Sequence, residues 1–205
     1  MPTPTPPKVQ PFRRTGGWLI THLSNLEAAK RMLKRLTEAE EALSKIETEY
    51  QQRGEKDLFR VHNLDALDEL ADLSRCVSLF SCFSVESFLN LYGIVRLGEP
   101  FFNKHYERFG PQRKLIILVA TCDGLLLGPT HEIVSIVSRL AARRNAIAHP
   151  TAKEWDSTQN RTQIPDIIVP GDARQSINDA LRFFTLFREI NGSVDNMMPR
   201  DLRPV

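Results

Sequence analysis

Apolar residues recur along most of the chain at intervals of three and four, the spacing that places side chains on one face of an α-helix. The first segment with this pattern runs from Gly17 to Arg53 and predicts one long amphipathic helix. Its apolar stripe repeats every seven residues and comprises Ala29, Leu36, Leu43 and Tyr50. The sequence Thr37-Glu-Ala-Glu40 resembles a capping box, so a break near Thr37 is an alternative to one continuous helix.

The second helical segment, from about Asn63 to Leu97, changes character halfway along its length. Its first half is amphipathic and carries a strip of acidic side chains, namely Asp65, Asp68, Glu69 and Asp72. Its second half is apolar on nearly every side, which is typical of the central, buried helix of a bundle. Residues 79–95 are the most apolar stretch, but they are few for a bilayer span, so we expect no membrane association.

Glycine and proline separate the helices that follow. Gly98-Glu-Pro100 ends the second segment, and a helix is expected from Leu115 to Leu127. Another is expected from about His131 to Ala148, and Asp172-Ala-Arg-Gln175 resembles the start of the last one. These elements predict an all-α fold, an up-and-down helical bundle with a long N-terminal helix.

Length and composition fit one domain with an extension at each end. The chain has 205 residues, a net charge of +2 and an apolar fraction of 41%. This composition suffices for one core, and the near-neutral charge argues against a protein that wraps nucleic acid by charge alone. We predict a helical domain at residues 16–192, a disordered Pro/Thr-rich segment at residues 1–15 and a flexible tail at residues 193–205.

The cysteines and the first residues bear on the cellular compartment. Cys76, Cys82 and Cys122 lie in apolar segments, and no Cys-x-x-Cys pair occurs. The first residues are rich in proline and threonine and lack the apolar core of a secretory signal. We therefore expect a cytoplasmic protein with reduced thiols, without a metal site and without a cofactor.

The most unusual polar cluster is the sequence Arg143-Arg144-Asn145-Ala-Ile-Ala-His149-Pro150 at the end of an apolar helix. Basic residues in a last helical turn often only complement the negative end of the helix. Two adjacent arginines cannot both cap one carbonyl, however, and Asn145 is a poor helix former. Because each residue turns the helix by about 100°, Arg144 and His149 would point about 140° apart within one chain. A second copy related by two-fold symmetry could bring the two side chains together.

Two further sets of residues extend this candidate site. Glu86 and Asn90 share one face of the buried helix, and a carboxylate there needs a partner, for which Arg143 or Arg144 is the best candidate. That contact would be a structural ion pair or part of a catalytic site. The long polar stretch after Pro150 contributes Lys153 and Trp155, and Trp155 would either stack on a base or cover the end of the bundle.

The six residues from Arg144 to His149 resemble the Arg-x(4–6)-His signature of the HEPN superfamily, in which a polar residue, often Asn, follows the arginine. The resemblance covers roughly Leu58 to Ile190, where Lys114 opens an apolar helix and a second apolar helix leads into Arg144. It implies a metal-independent ribonuclease that acts as a homodimer, with two Arg–His segments facing each other across a cleft. It also leaves open a toxin or defence role and inhibition by a nucleotidyltransferase-type antitoxin.

Within that family expectation each residue receives a role. His149 would be the general base or acid, Arg144 would stabilise the charged phosphorane, and Asn145 would orient His149 or bind a phosphate oxygen. Arg143 and Lys153 would hold flanking phosphates. Two alternatives remain: a HEPN module that binds RNA, nucleotide or protein without catalysis, and a helical scaffold whose long first helix binds a partner.

Overall fold

The computed structural model describes residues 8–9, 21–149 and 170–205. Within these ranges the chain is all-helical, which confirms the predicted all-α bundle with a long N-terminal helix. The α-helices are α1 (Thr21–Gln52), α2 (Lys56–His62), α3 (Leu64–Leu97), α4 (Glu99–His105), α5 (Pro111–Asp123), α6 (Glu132–Ala148) and α7 (Pro170–Ile190). A 3-10 helix, Gly192–Met197, follows α7. Apart from Lys8 and Val9, the segment expected to be disordered lies outside the described residues.

Helix α3 is the centre of the bundle, as its apolar second half predicts. It packs against α1, α5, α6 and α7, and its side chains Phe88 and Tyr92 are completely buried. The ring of Phe88 contacts the rings of Phe183, Phe184 and Phe187 of α7 at centroid distances of 6.0, 5.5 and 4.9 Å. Each buried phenylalanine contributes about 1.5–3 kcal/mol of transfer free energy, so this cluster holds α7 firmly on α3.

Small hydroxyl side chains let the helices approach α3 closely. Ser74, Ser78, Ser81 and Ser84 are all buried on α3. The hydroxyl of Ser176 on α7 donates to that of Ser78 at 3.2 Å, while Ser84 donates to the carbonyl of Ser81 at 2.7 Å. Buried hydroxyls with such partners avoid most of the desolvation cost of a polar group in a core.

A buried polar network joins α3, α5 and the end of α7 on the other side of the core. The hydroxyl of Tyr92 donates to the carboxylate of Asp123 at 2.7 Å, and Arg96 donates to the same carboxylate at 2.9 Å. Asn191 donates to Asp123 at 2.9 Å. Burial and the neighbouring carboxylate raise the pKa of Tyr92, so its hydroxyl stays protonated and donates. The network fixes the position of Asn191, the residue directly after α7.

Three features of the fold differ from the sequence-based expectations. Helix α1 is continuous through Thr37, whose hydroxyl donates to the carbonyl of Leu33 at 3.1 Å instead of capping a new helix. The short α2 was not expected. Helix α5 begins at Pro111 and ends at Asp123 rather than Leu127, because Gly124 takes a left-handed conformation with φ of +69°.

The residues after α7 pack onto the bundle instead of forming the flexible tail expected from residue 193. Val194, Met197 and Met198 are buried. The carbonyl of Met197 accepts a hydrogen bond of 2.7 Å from the imidazole of His22 on α1. Val194, Met197 and Met198 therefore belong to the core, and the contact with His22 ties the C-terminal part of the chain to its first helix.

Among the described helices, α3 is long and apolar enough to cross a membrane by length and composition. In its most apolar window, however, 61% of the residues are buried inside the bundle. The core helix of a bundle behaves in this way, and the test by itself is weak evidence for a membrane span.

Candidate functional site

The arginine–histidine segment forms the last turn of α6. Helix α6 ends at Ala148, and His149 leaves the helical conformation with φ of −132° and ψ of 66°, as expected for a residue that precedes a proline. The backbone N–H of His149 still donates to the carbonyl of Asn145 at 2.9 Å. The side chains of Asn145 and His149 are both exposed. The histidine is therefore on the surface and is not enclosed by its own bundle.

Arg144 points to α3 and forms an ion pair with Glu86. The guanidinium Nη2 lies 3.0 Å from the carboxylate Oε1, and the two side chains are 27% and 22% exposed. Of the two arginines that the sequence offers as partners for Glu86, it is therefore Arg144 that forms the ion pair. The Nε of Arg144 is buried and has no hydrogen-bond partner within the described part of the chain.

Lys114 on α5 is a further member of this cluster and was not among the predicted site residues. It is 6% exposed, its ammonium donates to Asn90 Oδ1 at 2.5 Å, and it lies 5.6 Å from the centroid of the Phe102 ring. A signal was available, because Lys114 falls on the same helical stripe as Leu115 and Leu118, which are buried. A lysine on the buried face of a helix requires a polar partner.

Burial lowers the pKa of Lys114, and the negative charges of Glu86 and Glu107 oppose this effect. The charge of Arg144 acts in the same direction as burial. Cys82 also lies near Glu86 and Arg144, but burial raises the pKa of its thiol to about 12. Cys82 is therefore protonated at neutral pH and is a poor nucleophile.

Arg143 points away from this cluster, towards α7. Its Nη1 lies 3.3 Å from Asp179 Oδ2 and 3.3 Å from the hydroxyl of Ser176. Arg139, one turn earlier, donates bidentate hydrogen bonds to the same carboxylate, from Nη2 at 2.7 Å and from Nε at 3.1 Å. The carboxylate of Asp179 is buried and bridges both arginines, so the structure uses Arg143 to pack α6 on α7. The predicted phosphate contact of Arg143 has no support from this arrangement.

The predicted contributions of Lys153 and Trp155 lie outside the described residues and stay predictions. No group of three or more His, Cys, Asp or Glu side chains suited to a metal ion occurs at 8–9, 21–149 or 170–205. The candidate site is thus Arg144, Glu86, Asn90 and Lys114 between α3, α5 and α6, with Asn145 and His149 on the adjoining surface. Comparison with protein-family models, with curated proteins and with solved structures finds no match to this chain.

Proposed function

We propose that the protein is a metal-independent endoribonuclease of the HEPN type that acts as a homodimer in the cytoplasm. The observation that carries the proposal is the placement of Arg144: its guanidinium is half-buried and held by Glu86 at 3.0 Å, beside the exposed Asn145 and His149. A fixed guanidinium and an accessible imidazole are the two groups that attack of a 2′-hydroxyl on the adjacent phosphate requires.

The geometry of α6 supports a site that needs two copies of the chain. Arg144 is turned to α3 by its contact with Glu86, whereas His149 is exposed beyond the last turn. On an ideal helix five residues would separate their directions by about 140°, and His149 lies one residue beyond the end of α6. In a two-fold dimer, His149 of one protomer can approach Arg144 of its partner across a shared cleft.

The chemistry follows from the groups that RNA itself provides. The 2′-hydroxyl gives its proton to one imidazole, and its oxygen forms a bond to the adjacent phosphorus. The bond from phosphorus to the 5′-oxygen then breaks, and that oxygen takes up a proton from the protonated imidazole or from water. Arg144 stabilises the negative charge on the phosphorane by bidentate hydrogen bonds. The products are a 2′,3′-cyclic phosphate and a free 5′-hydroxyl, and neither step consumes a metal ion or an oxidant.

The other residues have supporting roles in this proposal. Asn145 lies on the exposed face with His149 and either orients the imidazole or binds a phosphate oxygen. Glu86 fixes Arg144, and Asn90 belongs to the same face of α3. Lys153 and Trp155 are proposed to hold a flanking phosphate and a base. Arg143 is assigned to helix packing instead, because Asp179 and Ser176 already engage its guanidinium.

Incubation of the purified protein with mixed RNA in EDTA tests the function. We expect cleavage that leaves 2′,3′-cyclic phosphate ends, detected by end-group analysis. His149→Ala should abolish cleavage without lowering the melting temperature, because the side chain is exposed. The matched control is His62→Ala, which removes another exposed histidine from the distant α2. Wild-type activity that disappears in EDTA and returns with a divalent ion would refute the metal-independent mechanism.

A mixing experiment tests whether the site is shared between subunits. Arg144→Ala and His149→Ala should each be inactive alone. Mixed and re-equilibrated, they should regain part of the wild-type rate, because a heterodimer retains one intact arginine and one intact histidine on opposite protomers. A mixture that forms heterodimers by mass spectrometry and remains inactive would show that one chain must supply both groups.

One observation favours a non-catalytic alternative. Glu86 already neutralises Arg144 within the same chain, as expected if the pair only stabilises the bundle. In that case the protein binds RNA, nucleotide or another protein through the same fold. A wild-type dimer that binds RNA and leaves it intact would support this alternative. A role as a toxin with a nucleotidyltransferase-type antitoxin is a further proposal, and toxicity on expression that co-expression of such a protein relieves would test it.

A further inference from the structure

Lys114 has no part in the proposed reaction, yet its position is costly. Its side chain is 6% exposed. A buried ammonium loses hydration free energy on the order of several kcal/mol unless strong partners replace the lost water. Its hydrogen-bond acceptor is the neutral amide oxygen of Asn90 at 2.5 Å. A neutral acceptor compensates only partly for the lost hydration of a full charge. Packing alone would be served better by methionine or leucine at this position.

The charges around Lys114 connect it with Glu86 and Arg144. The carboxylate of Glu86 favours the charged form of Lys114, and the guanidinium of Arg144 disfavours it. Lys114, Arg144 and Glu86 together hold two basic side chains and one carboxylate, a formal net charge of +1 that does not include the nearby Glu107. Lys114 and Arg144 repel each other. This repulsion offsets part of the attraction between Glu86 and Arg144, so the Glu86–Arg144 pair is weaker than it would be without Lys114.

We propose that Lys114, held by Asn90, is a positioning residue that weakens the hold of Glu86 on Arg144 and thereby keeps the guanidinium available to an RNA phosphate. The inference rests on the proposed ribonuclease function, because it assumes that Arg144 binds phosphate. It accounts for a lysine on the buried stripe of α5. Without Lys114 the cluster would be neutral, and a phosphate would have to compete with a fully matched ion pair.

Binding of a fluorescent RNA oligonucleotide with methylated 2′-hydroxyls tests the proposal, since this probe cannot be cleaved. Fluorescence anisotropy at one fixed salt concentration gives the dissociation constant. The variants are Lys114→Met, Glu86→Gln and the double variant. The matched control is Lys104→Met, which removes an exposed lysine from α4. Methionine keeps the aliphatic stem and suits a buried position, so the variant should fold.

We expect Lys114→Met to weaken binding on the order of tenfold, because it removes a repulsion between Lys114 and Arg144 equivalent to two unit charges about 10 Å apart at an effective dielectric constant near 20. In the Glu86→Gln background the same substitution should weaken binding by less than about threefold, because its effect passes through Glu86. Lys104→Met should change the constant by less than about twofold. Equal effects of Lys114→Met in both backgrounds, or an effect no larger than that of Lys104→Met, would overturn the proposal.

Cleavage of unmodified RNA in parallel separates this inference from the function on which it rests. If the wild type binds the methylated probe with the expected coupling but leaves unmodified RNA intact, the ribonuclease proposal fails and the role of Lys114 stands. If the wild type cleaves RNA and Lys114→Met matches the control, only the inference about Lys114 fails. No binding of the probe by the wild type would overturn the inference about Lys114.

Discussion

The carboxylate of Asp179 offers the strongest test of how the bundle is held together near the site. It is 3% exposed and lies 2.7 and 3.1 Å from the guanidinium of Arg139. It also lies 3.3 Å from Arg143 and accepts from the Gln175 amide at 3.0 Å. Asp179→Asn keeps the size and one oxygen but removes the charge and places an amide donor against two cations.

The expected cost follows from burial. Removing one partner of a fully buried ion pair costs about 3–5 kcal/mol. Here the two arginine side chains are 48% and 21% exposed, so both regain hydration when the charge is lost. We therefore expect a loss of about 2–3 kcal/mol in the free energy of unfolding. For a domain of this size each kcal/mol lowers the melting temperature by about 2–4 °C, so Tm should fall by about 4–12 °C.

Thermal unfolding followed by circular dichroism measures this change. Glu132→Gln is the control, because it also removes a carboxylate that pairs with an arginine, Arg182, but both side chains are about half exposed. The control should leave Tm nearly unchanged. If Asp179→Asn melts at the wild-type temperature, the contacts of Arg139 and Arg143 do not hold α6 on α7, and our assignment of Arg143 to packing is wrong. Stronger RNA binding by Asp179→Asn would instead support the predicted role of Arg143 in binding a phosphate.

Two further predictions concern the core. Gly93→Ala should lower Tm by several degrees, because the new Cβ would lie 2.3 Å from Cε2 of the buried Phe102. Such overpacking costs about 1–3 kcal/mol. The control variant Gly171→Ala places its Cβ in open space on α7 and should not lower Tm. Burial lowers the pKa of His22 from its ordinary value of 6.5, so the unfolded chain takes up the proton first, and stability should be full above pH 6.5 and fall below it. Chemical denaturation between about pH 7.5 and 5 should show this slope for wild type and a weaker one for His22→Gln; equal slopes would contradict it.

Hydrophobic periodicity predicted the helices that present a long apolar stripe to the core. Helix α2 was not predicted because Lys56–His62 is only seven residues long and follows a turn-forming Gly54. The proposed break at Thr37 was wrong because Leu33, Leu36 and Leu43 carry the stripe of α1 past the capping-box pattern. Packing of the apolar stripe overrode the local capping signal. The 3-10 helix after α7 was missed because it has only six residues, and two apolar positions, Val194 and Met197, are too few to establish a period.

The sequence also predicted part of the candidate site. A carboxylate on a buried helix needs a partner, and this requirement predicts an arginine next to Glu86 from the sequence alone. It could not choose between Arg143 and Arg144, because neighbouring residues differ by about 100° and the choice depends on how α6 is rotated against α3 and α7. The same limit hid Asp179 as the partner of Arg143. Those contacts join residues far apart in the chain, and no local pattern contains them.

The two polar clusters on α3 have a consequence for how uniquely the chain folds. The second half of α3 is apolar on nearly every side, so many rotations about its axis would bury a similar area. Glu86 and Tyr92 lie six residues apart and therefore point about 120° from each other. A slip of one residue would turn both by about 100° and separate each from its partner, Arg144 or Asp123, at once. Hydrophobicity thus drives α3 inward, while one ion pair and one hydrogen bond to a carboxylate select one orientation among many of comparable packing energy.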